Sequence, residues 1–414
     1  MQNFFDTYFQ RYNVFPAHIS QVPHPELKLI VIIPSYNEPD IEPTLKSLLN
    51  CKPTKFPVEV IVVINSREND SEDVIRQNEF TISQIEKVNS QKMRNDINIY
   101  YCREERLPRK HAGVGFARKI GMDEAVRRFA QIGNSEGVIV NFDADSTCNY
   151  EYLYEIENFF LHHPKAEAVS IYFQHDIDSE EYPEFNRIAI AKYELYMRYY
   201  ILAQRYAGFP HAFHTMGSSF AVRVKPYCLE GGMNRRQAGE DFYFLQKVIP
   251  RGKFFSLNSA VVYPSIRCSQ RVPFGTGMTL TQMKSLEYSV FDVRSFEALK
   301  NFFSTAKFFF TDKSKVIIDD CLTEFLLQND FYKAVDQMVE NSTNETTFLK
   351  RFFTWFDAFR LLKFLHFIHE GYFSPVPVEK SASQLLDILG IDYDKNDISA
   401  QTLLRKYREL KMDV

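Results

Sequence analysis

The sequence predicts an α/β protein: a mostly parallel sheet with helices on both faces, followed by a helical C-terminal region. Three observations point there. From Lys28 to Gln174, short β-branched or aromatic runs alternate with stretches of helical periodicity. Some runs, such as Val60-Ile61-Val62-Val63-Ile64, are apolar at every position, which suits strands covered on both faces. Beyond Gly277 the strand signals stop, and the chain to Val414 reads as helices with polar breaks near Thr311, Asn341, Ser374 and Lys395.

Taken in order, strands are expected over Leu29–Ile33, Val58–Ile64, Ile97–Cys102, Val138–Phe142 and Ala168–Phe173. Helices are expected over Ile41–Asn50, Glu72–Val88, Val114–Ala130 and Tyr152–Leu161. Pro43 is tolerable in the first of these because an N–H so near a helix start has no partner to lose. Such alternation implies right-handed crossovers and a ligand site at the carboxyl ends of the strands. Tyr182–Ala207 reads as one long aromatic-rich helix. Phe220–Val224, Lys253–Ser256 and Ala260–Tyr263 read as short strands around the loop Gly231-Gly232. The chain then divides into an N-terminal extension (1–27), an α/β domain (28–275) and a helical region (276–414).

A chain of 414 residues exceeds the usual size of one domain, roughly 100–200 residues. With 45% apolar and 25% charged residues it has the composition of a globular protein. Forty-nine basic against fifty-three acidic residues give a net charge of −4, so nothing global suggests nucleic acid, and an anion site must come from local clustering of Lys and Arg. The six cysteines are scattered without metal-binding spacing and read as isolated thiols of a reducing compartment. The first residues lack the charged and apolar regions of a signal peptide, and no run of about 18 apolar residues occurs, so a soluble cytoplasmic protein is expected.

Asp143-Ala144-Asp145 directly follows the apolar run Gly137–Phe142. Two carboxylates at i and i+2 leaving a strand end can turn toward one point in the following loop. They suit a hard divalent cation, Mg²⁺ or Mn²⁺, that keeps positions open for phosphate. The plainer reading is an Asp-rich turn capping the next helix. Pro34-Ser35-Tyr36-Asn37-Glu38-Pro39 ends the first strand and holds polar groups between prolines, placed either to contact a nucleotide or simply to shape a turn. Arg103, Arg106, Arg109, Lys110, His111, Arg118 and Lys119 form a basic stretch at the start of a helix. It is either an anion site, with Lys110 and Arg118 the candidates, or a solvated face. Glu240 and Asp241 open another helical stretch, where acids also complement the helix dipole.

The order Pro34-Ser35-Tyr36-Asn37-Glu38, Asp143-Ala144-Asp145, Gly239-Glu240-Asp241 resembles the family-2 type of glycosyltransferase with the GT-A fold, over about residues 28–275. The resemblance implies a Rossmann-like sheet and transfer of a single sugar from a nucleotide-diphosphate donor to an acceptor. That acceptor, whether glycan, lipid-linked or small molecule, is not identified. Pro34, Tyr36 and Glu38 would line the nucleotide pocket, and Asp143 and Asp145 would hold the metal and the donor. Asp241 would be the general base of an inverting reaction, with Glu240 beside it on the acceptor side. Gly217 and Ser218, within His211–Ser219, would contact a sugar, and His214 is a weaker candidate metal ligand.

Two departures stand out. Where relatives carry an Asp after the second strand, this chain has Ile64-Asn65-Ser66-Arg67, leaving Asn65 as the candidate contact. The Gln-x-x-Arg-Trp signature of processive relatives is replaced by Arg267–Gly277, from which Arg271 is the candidate diphosphate clamp or else part of a solvated basic linker. The missing second-strand Asp makes a catalytically inactive nucleotide-sugar-binding module the alternative to an enzyme. Finally, Phe348–Ile368 carries Phe352, Phe353, Trp355, Phe356, Phe359, Leu362, Leu365 and Phe367 among basic residues. This stripe suits either peripheral contact with a membrane surface or burial in its own domain.

Overall fold

The computed structural model describes residues 4–12, 15–109, 112–235, 239–269 and 275–411. Its main sheet has eight strands: β1 (Leu29–Ser35), β2 (Val58–Arg67), β3 (Ile97–Leu107), β4 (Val138–Asn141), β5 (Thr147–Cys148), β6 (Ala168–Phe173), β7 (Phe220–Arg223) and β8 (Phe254–Tyr263). The order across the sheet is β3-β2-β1-β4-β7-β6-β8-β5. β1 pairs in parallel with both β2 and β4, so the strand order reverses at β1 and opens a crevice at the carboxyl ends of β1 and β4. β7 runs antiparallel between β4 and β6, and β5 antiparallel to β8, which leaves the sheet mostly parallel as expected.

The helices between the strands are α1 (Phe4–Tyr12), α2 (Glu42–Leu49), α3 (Glu72–Ser90), α4 (Val114–Gln131), α5 (Tyr152–His162), α6 (Glu184–Tyr206), α7 (Val224–Leu229), α8 (Glu240–Val248) and α9 (Thr276–Gln282). β1 and β2 are buried along almost their whole length, as their unbroken apolar runs require. A Cβ on Gly121 would stand 2.8 Å from a Val63 methyl and press on Ile32, so α4 lies close against β1 and β2. Its early turns thereby come to the crevice.

Several elements differ from expectation. The two short strands expected over 253–263 are one strand, β8. Its pairing with β6 jumps from Ile171↔Leu257 to Tyr172↔Val261, and the unpaired residues between broke the sequence pattern in two. β5 and α7 are too short to show a period. The N-terminal extension forms α1, which buries Phe5 and Tyr8, and the Tyr8 hydroxyl donates to Asp123 Oδ1 at 2.6 Å.

The chain divides into two compact units. One comprises residues up to Asn186 together with Thr215–Lys284, and the other Arg187–His214 with the chain from Ser285 onward. The limits 28–275 and 276–414 followed chain order, whereas most of α6 packs with the C-terminal elements. Its Tyr199 hydroxyl donates to the Phe291 carbonyl at 2.9 Å.

The second unit adds α10 (Val293–Thr305), α11 (Phe308–Thr311), α12 (Asp320–Gln328), α13 (Phe331–Glu340), α14 (Glu345–Trp355), α15 (Ala358–Gly371), α16 (Val378–Ile388), α17 (Ala400–Glu409) and a small pairing of β9 (Ser289–Val290) with β10 (Val376–Pro377). Phe302 lies at its centre, with the rings of Phe309, Phe331, Phe352 and Phe356 at 5.5–6.1 Å. The stripe expected on one helix over 348–368 belongs to two. α14 ends at Trp355, and Asp357 caps α15 by accepting from the Arg360 N–H. Phe352, Phe356 and Leu365 are fully buried, so much of the stripe forms this unit's own core. Among the described residues no helix is long and apolar enough to cross a membrane.

Candidate active site

The crevice is built from the loop after β4 outward. The Phe142 N–H donates to the Ile32 carbonyl at 3.0 Å, which carries β4 to its last paired residue. The chain then turns, with the Ser146 N–H on the Asp143 carbonyl at 3.2 Å and the Thr44 hydroxyl on the Ala144 carbonyl at 2.8 Å. Side chains at i and i+2 leave this turn about a third exposed, 36% for Asp143 and 30% for Asp145.

Each aspartate meets a different arginine. On the α4 side, the buried Arg118 donates Nη2 to Asp143 Oδ1 at 2.6 Å and Nη1 to Glu240 Oε1. One guanidinium therefore ties the Asp-x-Asp turn to the start of α8. Burial works against its charge, but the carboxylates of Asp143, Glu240 and Asp241 offset that and hold its pKa above the ordinary value. Gly217 makes room for it: a Cβ there would stand 2.5 Å from Arg118 Cζ and 2.6 Å from Nη2. Gly217→Ala should push the guanidinium off Asp143 and cost about 1–3 kcal/mol. A fall in both melting temperature and donor turnover would show it.

Gly239 has φ of 70°, a left-handed conformation that admits Gly cheaply and turns the chain into α8. Glu240 faces inward, 1% exposed, while Asp241 is half-buried and accepts from the Phe242 N–H at 2.7 Å. Burial, and then the neighbouring Glu240 charge, push the Asp241 carboxyl up to about 6, against the pull of Arg118. An acid with that pKa is ionised at neutral pH and still takes up a proton readily.

The other arginine serves the β1 side. Arg267, in the segment after β8, pairs through Nη2 with the buried Glu38 and lies 3.3 Å from Asp145 Oδ2. Glu38 is held in place partly by the Asp40 N–H at 3.2 Å. Pro34 is buried in β1, and Tyr36 follows the strand, its hydroxyl donating to Asp70 Oδ1 at 2.8 Å. Burial and then Asp70 push the Tyr36 hydroxyl up to about 12, so it stays a donor. Arg67 stacks 5.2 Å from the Tyr36 ring centroid, and its N–H binds Asp70 Oδ2 at 2.6 Å. Asn78 of α3 accepts from the Asn37 N–H at 3.0 Å and donates to the Asn65 carbonyl at 3.0 Å, stitching the ends of β1 and β2 together.

The structure thus brings Pro34, Tyr36, Glu38, Asn65, Arg118, Asp143, Asp145, Gly217, Glu240 and Asp241 to one end of the sheet. Ser218 is buried beside Gly217, its hydroxyl 3.3 Å from that of Ser219. Lys110, His111 and Arg271 lie outside the described residues. Arg103, from the same basic stretch, pairs with Glu79 and Glu105 on an exposed face. His214 belongs to the second unit, where burial and then Arg198 and Arg205 push its pKa down to about 3. Asp70 was missed because it stands past the end of β2, three residues beyond Arg67; an Asp in a Glu-Asn-Asp turn there was the available signal.

Among the described residues no three His, Cys, Asp or Glu side chains stand together as a self-sufficient metal site. Magnesium-type ions bound with a nucleotide usually take one or two protein carboxylates and draw other oxygens from phosphate and water. Asp143 and Asp145, all-oxygen donors on one short turn, fit an ion that arrives in that way.

The family model described as glycosyl transferase family 2 matches residues 30–228. No curated protein matches the chain. Among solved structures, the crystal structure of S. aureus TarS 1–349 in complex with UDP-GlcNAc is 15% identical, with 92% of each chain covered and a TM-score of 0.39. The same fragment with UDP is 13% identical over 92% of this chain and 91% of that one, with a TM-score of 0.37. A further TarS structure is 14% identical over 83% of this chain and 55% of that one, with a TM-score of 0.38. The family match takes in β1, α4, the Asp143–Asp145 turn and Gly217-Ser218, and stops before Glu240. Residues 30–228 therefore form a family 2 glycosyl transferase domain of GT-A fold.

Proposed function

We propose that the protein transfers a single sugar from a nucleotide-diphosphate sugar to an acceptor hydroxyl, with inversion, and that Asp241 is the general base. The observation that carries this is the shared guanidinium of Arg118, which holds Glu240, and with it the raised-pKa Asp241, beside the Asp143 end of the crevice. Tyr36, Asp70, Glu38 and Asn65 form the nucleotide side. There Asp70 supplies an acid close to β2, which supports an active enzyme over an inactive binding module.

Asp143 and Asp145 would hold Mg²⁺ or Mn²⁺ with the donor, and such an ion, when bound, would supply Lewis-acid neutralisation of the departing diphosphate. The protein's own work is electrostatic and positional. Arg267 can exchange its contacts with Glu38 and Asp145 for diphosphate oxygens, using the same planar donor geometry. Asp241 takes the acceptor's proton as its oxygen attacks the anomeric carbon from the face opposite the leaving group. Glu240 is paired with Arg118, and its neighbouring charge helps keep Asp241 basic.

The test is donor hydrolysis and transfer across a panel of nucleotide sugars, with thermal shift as the binding readout. Chelator should abolish turnover, Asp145→Asn should reduce it at least tenfold, and the preferred donor with Mn²⁺ should raise the melting temperature. Full activity in excess chelator would remove the metal from the reading. Tight donor binding without turnover on any acceptor would restore the binding module.

A further inference from the structure

The six cysteines are far apart in sequence, yet two of them meet. Cys51 follows the C-cap of α2, Cys148 lies in β5, and their Sγ atoms are 3.7 Å apart. Cys51 is buried, whereas Cys148 is partly open to solvent. Both lie against the same helix face: Cys51 Sγ is 3.4 Å from the Ser47 carbonyl and Cys148 Sγ 3.6 Å from the Ser47 hydroxyl. Cys148 stands three residues beyond Asp145, and Thr44, one turn before Ser47 on α2, holds the Ala144 carbonyl at 2.8 Å. The thiol pair and the Asp-x-Asp turn therefore share one support.

We propose that Cys51 and Cys148 form a reversible disulfide under hydroperoxide, and that this modification site moves the Asp143–Asp145 turn and weakens donor binding. The bond requires the sulfurs to close from 3.7 Å to about 2.05 Å. One thiolate of the pair attacks the peroxide, breaking its O–O bond to give a sulfenic acid and water or an alcohol. The second sulfur then displaces hydroxide, which leaves as water with the remaining thiol proton. The Cys148 hydrogen bond, followed by the Leu153 backbone and the Arg94 charge, draws the Cys51 thiol below its ordinary pKa despite burial, which favours a thiolate within the pair. The movement falls mainly on β5, a two-residue edge strand paired only with β8, because Cys51 is fixed at its backbone by Arg94 Nη1 on its carbonyl at 2.6 Å. Displacing a turn that binds donor by about 1 Å can change turnover on the order of 10–100-fold.

The consequence for donor binding rests on the proposed function, while the bond itself does not, so the test reads both. The full chain is treated with hydrogen peroxide, then with dithiothreitol. Peptide mass spectrometry without reduction should find residues 51 and 148 linked. The donor KM should rise at least tenfold and recover on reduction. Cys148→Ala should keep its KM under peroxide, and Cys51→Ser serves as the second variant. Oxidation of other cysteines with none of the 51–148 link would overturn the site, and a stoichiometric link that leaves KM unchanged would overturn its role. If no donor is turned over at all, the linked peptide still decides the site, and the failure belongs to the proposed function.

Discussion

Asp241→Asn should lower kcat about 10²–10⁴-fold, the usual contribution of a positioned general base, while leaving donor binding by thermal shift close to wild type. The amide keeps the shape and can still accept from the Phe242 N–H, but it cannot take a proton from the acceptor. Wild-type kcat/KM should fall on the acid side with a midpoint near 6, since the base must be ionised and burial beside Glu240 lifts its pKa to about that value. The stability sign is opposite. A carboxyl whose pKa is raised on folding stabilises the native state while it is protonated, and that contribution is lost as pH rises through about 6. At pH 7 the Asn variant should therefore melt no lower than wild type. A variant that loses turnover because it has unfolded would melt lower, and one that keeps wild-type kcat would take the base role away from Asp241.

The fold was legible where the chemistry is periodic. β1, β2, β4 and β6 are buried along almost their whole length and carry apolar runs, and α4 lies between strands whose signals bracket it. The candidate site is legible where a motif adjoins a strand end: Tyr36 and Glu38 after β1, Asp143 and Asp145 after β4. What escaped was every relation made by packing across the chain. Arg118 was noticed as one charge in a basic run, but nothing local says that its guanidinium bridges residues 143 and 240. Arg267 reads in the sequence only as part of a basic linker with Arg271, because its pairing with Glu38 spans more than two hundred residues. Cys51 and Cys148 read as isolated thiols in the sequence for the same reason. The long helix α6 was assigned by chain order, although its tyrosines pack against residues a hundred positions later.

Removing Arg118 should be strongly destabilising. Arg118→Met keeps much of the side chain's bulk but strips the partner from Glu240, which is 1% exposed, and such an orphaned buried charge costs about 3–5 kcal/mol. For a domain of this size each kcal/mol is worth about 2–4 °C, so the melting temperature should drop by roughly 10 °C. Adding Glu240→Gln should recover much of that loss, since the buried group is then neutral. Turnover should stay absent in the double variant, because Asp143 and the start of α8 no longer share a clamp. Arg118→Lys separates geometry from charge. A single ammonium cannot reproduce two guanidinium nitrogens directed at two carboxylates, so the cation is kept and the bridge is lost. Its residual activity should require a higher pH than wild type, because Arg118 is the charge that draws Asp241 downward and a lysine on only one carboxylate does so less. If Arg118→Met proves as stable as wild type, Glu240 is not the buried anion described here. If Arg118→Lys retains full kcat with an unshifted acid limb, the bridge between the aspartate turn and α8 has no part in catalysis.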